Sequence, residues 1–345
     1  MKKILISISF LLLALIVKPQ DIHFSQYNEA PLMVNPALTG YFKGQHRIAL
    51  NYKNQWRSLG GAYNTYAFTY DAPVTKMTRN KSGYLALGAN FFKDIAGDLD
   101  FGNLNGKLNI AYHLKLNEYN MLAAGIYGGF GQYSLNSTNM QWGNQYDGIG
   151  GFDPSLPSNE YILSESFKYV DFGFGMNWGF NKNSKTMTSN DGVKANAGFA
   201  VHHVNKPEFK YFKDSESRLG MRISAHARAQ IGIDNSNAAI VPQLLVQVQR
   251  KQSEFVPGLS GRFTLREESK YTGFINDAYI SFGGFYRVGD AIIAQALLEI
   301  SDISLGVSYD INVSKLSKAT KGRGGFEVML RYVFDKQSVY GSSMY

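Results

Sequence analysis

Residues 103–116 read NLNGKLNIAYHLKL, and their polar and apolar side chains alternate with a period of two. Every second position from Leu104 to Leu116 holds leucine, isoleucine, tyrosine or glycine, whereas the positions between them hold asparagine, lysine, alanine or histidine. Successive side chains of a β-strand point to opposite faces, so this pattern predicts a strand with one apolar and one polar face. The run is longer than the ~5 or 6 residues of an ordinary strand.

The same alternation recurs along most of the chain. The segments that show it lie at 46–58, 62–71, 82–92, 104–116, 119–133, 166–180, 192–204, 221–231, 238–250, 254–266, 277–287, 290–299, 302–312 and 323–334. Strands of this length match the ~9–11 residues that cross a bilayer at a tilt, and an even strand count is usual for single-chain outer-membrane barrels. The sequence therefore predicts an all-β fold, a single transmembrane antiparallel β-barrel of about 14 strands.

The overall composition agrees with one large β unit. Of 345 residues, 44% are hydrophobic and 18% charged, with 22 tyrosines, 23 phenylalanines and no cysteine. The aromatic content excludes disorder, and the missing cysteine excludes a disulfide framework. The formal charge of +8 is scattered along the chain rather than clustered, so nucleic acid is not an expected partner.

The N-terminus has the pattern of a secretory signal peptide, because Lys2 and Lys3 precede the apolar run 4–17. We expect residues 1–20 to be cleaved, with the cleavage position left open and an uncleaved anchor as the alternative. Beyond residue 20, no apolar run approaches the ~18 residues of a membrane helix, so insertion requires a closed barrel. The predicted units are the signal peptide 1–20, a plug-like segment 21–45, an outer-membrane barrel 46–334 and a tail 335–345.

The two faces of each strand have different expected surroundings. A cation at the bilayer midplane of a barrel costs ~2–4 kcal/mol, so the polar face should line the lumen. The lumen-facing cations predicted in this way are Lys107, Arg222, Arg228 and Arg331. The apolar face should contact lipid and end in aromatic girdles, or its aromatics are ordinary core residues. The girdle candidates are Tyr52, Trp56, Tyr70, Phe92, Tyr112, Tyr133, Trp178, Phe263 and Tyr332.

Loop lengths predict the orientation. If both termini are periplasmic, the connections after odd-numbered strands are extracellular, and these are usually the longer ones. The gaps at 134–166 and 205–219 follow the fifth and seventh strands and are expected to form an extracellular binding surface. The gaps at 72–81, 181–191 and 267–276 fall on the periplasmic side and are not especially short.

Signatures of catalysis are missing from the sequence. His202 and His203 are adjacent, so in a strand they would point to opposite faces and could not chelate one metal ion. No HExxH motif occurs, and no local pattern selects a nucleophile. We therefore expect no enzyme, no metal site and no cofactor. An outer-membrane hydrolase is the remaining enzymatic alternative.

The segment before the first strand carries a more specific pattern. Residues 24–27 read FSQY, residues 31–40 read PLMVNPALTG, and residues 52–56 of the first strand read YKNQW. A second match lies at 286–291, which reads YRVGDA, and a third in the closing strand. With these motifs the chain resembles the PorP/SprF family of type IX secretion system outer-membrane proteins. The matching positions, which are either structural or partner-binding, are Gln26, Tyr27, Asn35, Pro36, Gly40, Gln55, Trp56, Gly289 and Asp290.

The resemblance implies a function in protein secretion and gliding motility of Bacteroidetes. It implies a non-enzymatic barrel that helps to export, or hold at the surface, adhesins with C-terminal sorting domains. It also implies a periplasmic peptidoglycan-associated lipoprotein as partner, besides the lipids of the outer membrane. No catalytic residue is carried over from the family. The alternative is an outer-membrane channel or transporter for small or hydrophobic solutes.

Overall fold

The computed structural model describes residues 21–55, 63–75, 82–97, 100–136, 140–146, 151–159, 166–182, 192–209, 217–266, 277–315 and 317–334. The predicted signal peptide, Trp56 and the predicted tail lie outside these ranges. None of the helices in the described ranges has the length and apolarity that crossing a membrane requires.

The described part of the chain is almost entirely β-structure. Its strands are β1 His46–Gln55, β2 Tyr63–Pro73, β3 Gly83–Ala96, β4 Phe101–Lys115, β5 Asn120–Ser134, β6 Ser166–Lys182, β7 Val193–His202, β8 Glu208–Phe209, β9 Ser217–Arg218, β10 Arg222–Gly232, β11 Ala238–Gln249, β12 Gln252–Arg266, β13 Ala278–Arg287, β14 Ala291–Ile300, β15 Ile303–Asn312 and β16 Arg323–Phe334. The helical turns are a 3₁₀ turn at Tyr27–Glu29, α1 Pro31–Val34, 3₁₀ turns at Pro36–Leu38 and Gly143–Gln145, and α2 Ser317–Thr320.

Fourteen of these strands close into one antiparallel barrel. Each long strand pairs with its neighbours along the chain, with β7 followed directly by β10. The barrel closes where β1 pairs with β16, from His46 opposite Phe334 to Gln55 opposite Gly325. The two short strands β8 and β9 form a separate hairpin between β7 and β10, which the alternation pattern did not predict. The predicted 14-strand transmembrane barrel is confirmed.

We call the end of the barrel where β1 begins and β16 ends the proximal end, and the opposite end the distal end. The proximal end carries connections such as 116–119 and 301–302. The distal end carries the long connections 135–165 and 203–221, which follow β5 and β7. The two long gaps in the sequence pattern therefore lie at the same end of the barrel.

Burial alternates along the strands as a lipid-embedded wall requires. In β4, Leu108 is 66% exposed, whereas Lys107 and Asn109 on either side are 6% and 1% exposed. The exposed set of this strand is apolar and the buried set largely polar, which suits hydrocarbon outside and a polar lumen inside. The alternation expected from residues 103–116 is thus present in three dimensions.

The girdle prediction is correct at some positions and wrong at two. Tyr70, Tyr112, Trp178, Phe263 and Tyr332 are exposed on the outer surface, and Tyr52 is partly exposed there. Phe92 and Tyr133 are buried instead. Because neighbouring strand residues face opposite ways, only one of the pair Phe91 and Phe92 can contact lipid, and it is Phe91.

Tyr133 is buried because it stands at an inward-facing position of β5, opposite buried Asn103 of β4. It packs against Tyr169 of β6 and Leu219, which follows β9. The ring centroids of Tyr133 and Tyr169 are 5.5 Å apart. This cluster closes the distal end of the β5–β6 wall over the lumen.

Candidate functional site

The N-terminal segment, residues 21–45, runs through the lumen from the distal half to the proximal end. At its start, Asp21 contacts His203 and Arg222 at the distal ends of β7 and β10. At its end, the backbone N–H of Gly40 donates to Asp71 of β2, 2.6 Å away, and β1 begins a few residues later. The chain thus crosses much of the barrel's height before the first strand forms.

The apolar side chains of the segment pack against an apolar part of the inner wall. Tyr27 and Val34 form a buried cluster with wall residues of β11 to β14, among them Phe285. The rings of Tyr27 and Phe285 meet edge to face, with centroids 6.2 Å apart. Phe24 packs in a second cluster with Phe92 of β3. The segment therefore serves as a core for this side of the barrel.

Proline and asparagine determine the local shape of the segment. Pro31 and Pro36 each occupy the first position of a helical turn, where the missing N–H costs nothing. Asn35 caps the second turn, since its Oδ1 accepts from Ala37 N at 2.9 Å. Its Nδ2 donates to the carbonyl oxygen of Met176 in β6 at 2.9 Å, which ties the turn to the wall. The Asn-Pro pair of the family motif thus has a structural role here.

Three ionic clusters hold the segment at successive points along its own sequence. The distal cluster is built on His203, whose Nε2 lies 2.5 Å from Asp21 Oδ2 and whose Nδ1 lies 2.8 Å from Asp171 Oδ1. Arg222 Nε lies 3.4 Å from Asp21, and Lys107 Nζ lies 3.1 Å from Asp171. Both ring nitrogens of His203 face carboxylate oxygens, so both hydrogen bonds form only when the ring carries two protons.

The environment favours that charged form. Burial lowers the pKa of His203, but the charges and hydrogen bonds of Asp21 and Asp171 more than offset it and raise the pKa. Burial likewise works against ionisation of Asp21, yet the nearby charges of His203 and Arg222 hold the pKa of its carboxyl well below its usual range. The start of the segment is therefore held by a charged imidazolium between two carboxylates.

The central cluster is built on Arg287 at the end of β13. Its guanidinium lies 3.0 Å from Glu254, 3.0 Å from Asp310 and 3.1 Å from Asp290, and it donates to Ser25 Oγ at 2.7 Å. Three strand or turn residues and the N-terminal segment thus meet at one side chain.

Glu327 of the closing strand binds the same part of the N-terminal segment as the Arg287 cluster. Its two carboxylate oxygens accept from the backbone N–H groups of Ser25 at 2.7 Å and Gln26 at 3.0 Å. Lys53 of β1 lies 3.2 Å from the same carboxylate. The closing strand therefore holds the FSQY motif in place by hydrogen bonds to its backbone.

The proximal cluster is built on Glu29 and Glu299. Arg331 pairs with Glu29 of the segment and lies 2.9 Å from Glu299, and Arg262 lies 3.1 Å from Glu299. Arg228 lies on the same inner wall. Within the described residues it forms no ion pair or hydrogen bond.

The predicted site residues occupy three places. Gln26, Tyr27, Asn35, Pro36 and Gly40 belong to the N-terminal segment and are buried. The remaining motif positions are Gln55 at the end of β1, Gly289 and Asp290 in the β13–β14 turn, and Trp56, which is not described.

Two glycines of the motif have backbones that favour glycine. Gly289 and Gly40 have φ values of +79° and +71°. At Gly40 an added Cβ would also lie 2.3 Å from Ala86 Cβ.

The four predicted lumen cations all lie on the inner wall. Lys107 and Arg222 join the distal cluster, and Arg331 and Arg228 lie at the proximal level. The sequence analysis did not identify the carboxylates that pair with these cations, nor the cluster around Arg287. A usable signal existed, since the missed residues of the strands are charged and stand at inward-facing positions; they are Asp71, Asp171, Glu254, Arg287, Glu299 and Glu327.

The expectation that His202 and His203 point to opposite faces was wrong. Strand β7 ends at His202, and His203 adopts φ +56°, which turns its side chain inward as well. Both rings are buried, at 1% and 2% exposure. In the described ranges no three His, Cys, Asp or Glu residues are grouped so as to hold a metal ion.

A chamber of about 870 Å³ occupies the proximal half of the lumen. Its floor is the N-terminal segment around Tyr27 and Pro31, and its mouth lies at the proximal turns near Asn117 and Asp302. Tyr41 lines the wall, and burial raises the pKa of its hydroxyl to about 12, so this group stays a hydrogen-bond donor.

The distal surface is formed by the long connections. In the part that is described, the 3₁₀ turn Gly143–Gln145 is followed by a single β-bridge between Tyr146 and Phe152. Tyr146 is 50% exposed. The β8–β9 hairpin lies at the same end.

Comparison with known proteins gives a family and several structures of similar shape. Residues 16–332 match the family described as type IX secretion system membrane protein PorP/SprF. No curated protein sequence matches the chain.

Among solved structures, the toluene transporter TodX of P. putida is similar at 10% identity and a TM-score of 0.46, over 90% of this chain and 95% of that one. CdiB from Acinetobacter baumannii is similar at 7% identity and a TM-score of 0.43, over 84% of this chain and 60% of that one. BamA from Haemophilus ducreyi is similar at 11% identity and a TM-score of 0.38, over 84% of this chain and 70% of that one.

Proposed function

The chain belongs to the PorP/SprF family of type IX secretion system membrane proteins, and from this membership we propose a non-enzymatic role in secretion at the outer membrane. In this role the barrel binds particular exported proteins, such as adhesins with C-terminal sorting domains, at its distal connections. It thereby helps to export them or to hold them at the cell surface. A periplasmic peptidoglycan-associated lipoprotein is the proposed partner at the proximal end.

The observation that carries this proposal is the occupied lumen. The N-terminal segment is fixed at three points along its sequence, by His203, by Arg287 and Glu327, and by Arg331. A barrel filled in this way is a rigid platform in the membrane. The alternative prediction, a channel for small or hydrophobic solutes, is supported less well because the segment lies across the path.

The distal connections supply the surface for an exported protein. Their described parts present the exposed ring of Tyr146, and the same end of the barrel holds the buried cluster of Tyr133, Tyr169 and Leu219. Aromatic side chains on a firm base are frequent hot spots of protein interfaces. The charged clusters inside the barrel, in contrast, are already engaged with the N-terminal segment.

The test replaces residues 140–159 by a short Gly-Ser turn in the chromosomal copy. We expect the barrel to reach the outer membrane in normal amount while its adhesin is lost from the cell surface. A matched variant shortens the proximal turn 234–237 and should leave the adhesin in place. Normal adhesin retention in the distal variant would contradict the proposal.

A further inference from the structure

One arginine of the proximal chamber differs from the other arginines of the inner wall. Arg47, Lys107 and Arg222 pair with aspartates, at 2.7, 3.1 and 3.4 Å. Arg262 and Arg331 share Glu299. Arg228, by contrast, has no carboxylate at ion-pair distance within the described residues, although it lines the chamber.

The chamber as a whole is positive. Its lining contains eight Lys or Arg and five Asp or Glu residues, and because Arg47 is paired with Asp71 outside the lining, the surplus is two positive charges. Aromatic rings lie among these charges; they are Tyr27, Tyr41, Phe42, Tyr119 and Phe180. Such a lining suits a ligand that carries carboxylates on a partly apolar frame.

The shape of the chamber limits the ligand further. Among the described residues, it opens toward the proximal turns and is closed at its inner end by the N-terminal segment, so a ligand enters and leaves by the same mouth. Its volume of about 870 Å³ lies in the upper part of the usual ~300–1,000 Å³ of ligand pockets. Glu118, Asp277 and Asp302 stand among the lysines of the mouth, so both signs of charge occur along the entry path.

We propose that the proximal chamber binds an acidic peptide segment of a partner protein, and that Arg228 receives one of its carboxylates. A guanidinium takes a carboxylate through two parallel hydrogen bonds, which are stronger than neutral ones. In β-pairing Arg228 stands opposite Asn196 of β7, which also lines the chamber and offers a neutral amide beside the bound carboxylate. Aromatic residues of the peptide would pack on Tyr41 and Phe42.

The site is independent of the distal connections. Chamber and connections lie at opposite ends of the barrel with the N-terminal segment between them. Loss of adhesin binding in the variant lacking 140–159 therefore says nothing about the chamber, and the reverse also holds.

Fluorescence anisotropy on the purified full-length barrel in zwitterionic detergent tests the proposal. The probe is the peptide Gly-Asp-Phe-Asp-Tyr-Asp with an uncharged dye, and the matched peptide carries lysine in place of each aspartate. We expect saturable binding of the acidic peptide alone, and about tenfold or greater weakening in Arg228→Gln. The control Lys168→Gln, on the outer surface of β6, should bind as the parent does. An amidated acidic peptide distinguishes the source of the carboxylate: retained affinity assigns it to a side chain, and lost affinity to the C-terminus.

A second measurement does not depend on the stability of the Arg228 variant. Because the chain has no cysteine, Asn196→Cys places a single thiol in the chamber and Ser253→Cys places one at the distal turn. The acidic peptide should slow maleimide labelling of the first thiol and leave the second unchanged. Equal labelling of both, absence of saturable binding, or unchanged affinity in Arg228→Gln would overturn the proposal.

Discussion

Single residues determine where the N-terminal segment lies. A buried ion pair adds little net stability, but loss of one partner leaves the other charge unpaired at a cost of ~3–5 kcal/mol. With Asp21 on His203, Ser25 on Arg287 and Glu29 on Arg331, a shift of the segment by one residue would break all three contacts. The ionic clusters therefore select one register of the segment in the lumen.

Contacts of this kind were beyond prediction from the sequence. Charged residues at inward-facing positions could be recognised as lumen-facing, since lipid imposes the same rule on every strand. Their partners could not, because Ser25 and Glu327 are separated by 302 residues and share no period. The inward turn of His203 depends on its positive φ, which strand alternation does not encode.

A glycine of β5 makes room for the segment. A Cβ at Gly125 would lie 2.6 Å from the backbone nitrogen of Ala37, whereas a Cβ at Gly284, on the lipid side of β13, would meet nothing within 4 Å. We expect Gly125→Ala to lower the free energy of unfolding by ~1–3 kcal/mol through overpacking. Gly284→Ala should be neutral or slightly stabilising. Urea unfolding in detergent micelles measures both, and equal midpoints would refute the close approach.

The His203 cluster predicts a pH dependence. A raised pKa in the folded state means that the stabilisation is complete below the ordinary histidine value of 6.5 and is lost as pH rises through the raised value. The lowered pKa of Asp21 acts only in strong acid, so it does not disturb this range. The other charged groups that act on the imidazole are Asp171 and Lys107.

Hydrogen exchange at the start of the segment measures this effect. We expect protection of the first backbone amides after residue 21 to fall as pH is raised above 6.5, beyond the ordinary pH dependence of exchange. His203→Gln, which cannot carry the charge, should show weak protection with no such step. A parent protein without the step would show that the imidazolium does not hold Asp21.

At the scale of elements, the segment replaces the packed core that a barrel of this size lacks. The inner wall carries a patch of buried apolar residues, which are Leu245, Val256, Phe285 and Ile293, and the segment covers it with Tyr27 and Val34. The sequence predicted a folded, plug-like stretch from its prolines, aromatics and missing alternation. Nothing in the sequence indicated the three ionic clusters that hold the stretch.

Removal of the segment should open the lumen. Planar-bilayer recordings of the intact barrel are expected to show no steady conductance, whereas deletion of residues 21–40 should produce stable single-channel steps. The control deletes residues 140–159 from a distal connection and should remain closed. A deletion variant that folds, as judged by its heat-modifiable mobility on gels, and still fails to conduct would contradict an occluding role.

The whole molecule is organised by its contact with lipid. Ile126 is 60% exposed and pairs with Ile110 and Phe174, both exposed as well, so it lies within the apolar belt. Ile126→Arg should cost ~2–4 kcal/mol in folding into lipid vesicles, since a cation there faces hydrocarbon. Gln252→Arg, at the exposed distal turn, is the matched control and should change little. Equal folding free energies would place Ile126 outside the membrane.

Lipid is also the reason why so much of the barrel could be predicted. The bounds of all fourteen long strands were predicted to within a few residues. Each strand faces lipid on one side and the polar lumen on the other, so its side chains alternate with a period of two. The hairpin β8–β9 was missed because two residues per strand are too few to show a period. Phe92 and Tyr133 were misplaced where the interior is as apolar as the lipid.

The contact between Ser25 and Glu327 has a consequence for biogenesis. Strand β16 follows the other strands of the described chain, and its carboxylate is the acceptor for amides of the N-terminal segment. In a truncated polypeptide that lacks this strand, those amides have no acceptor and β1 has no partner strand to close the barrel. Docking of the N-terminal segment on Glu327 therefore requires a chain that has been synthesised through strand β16.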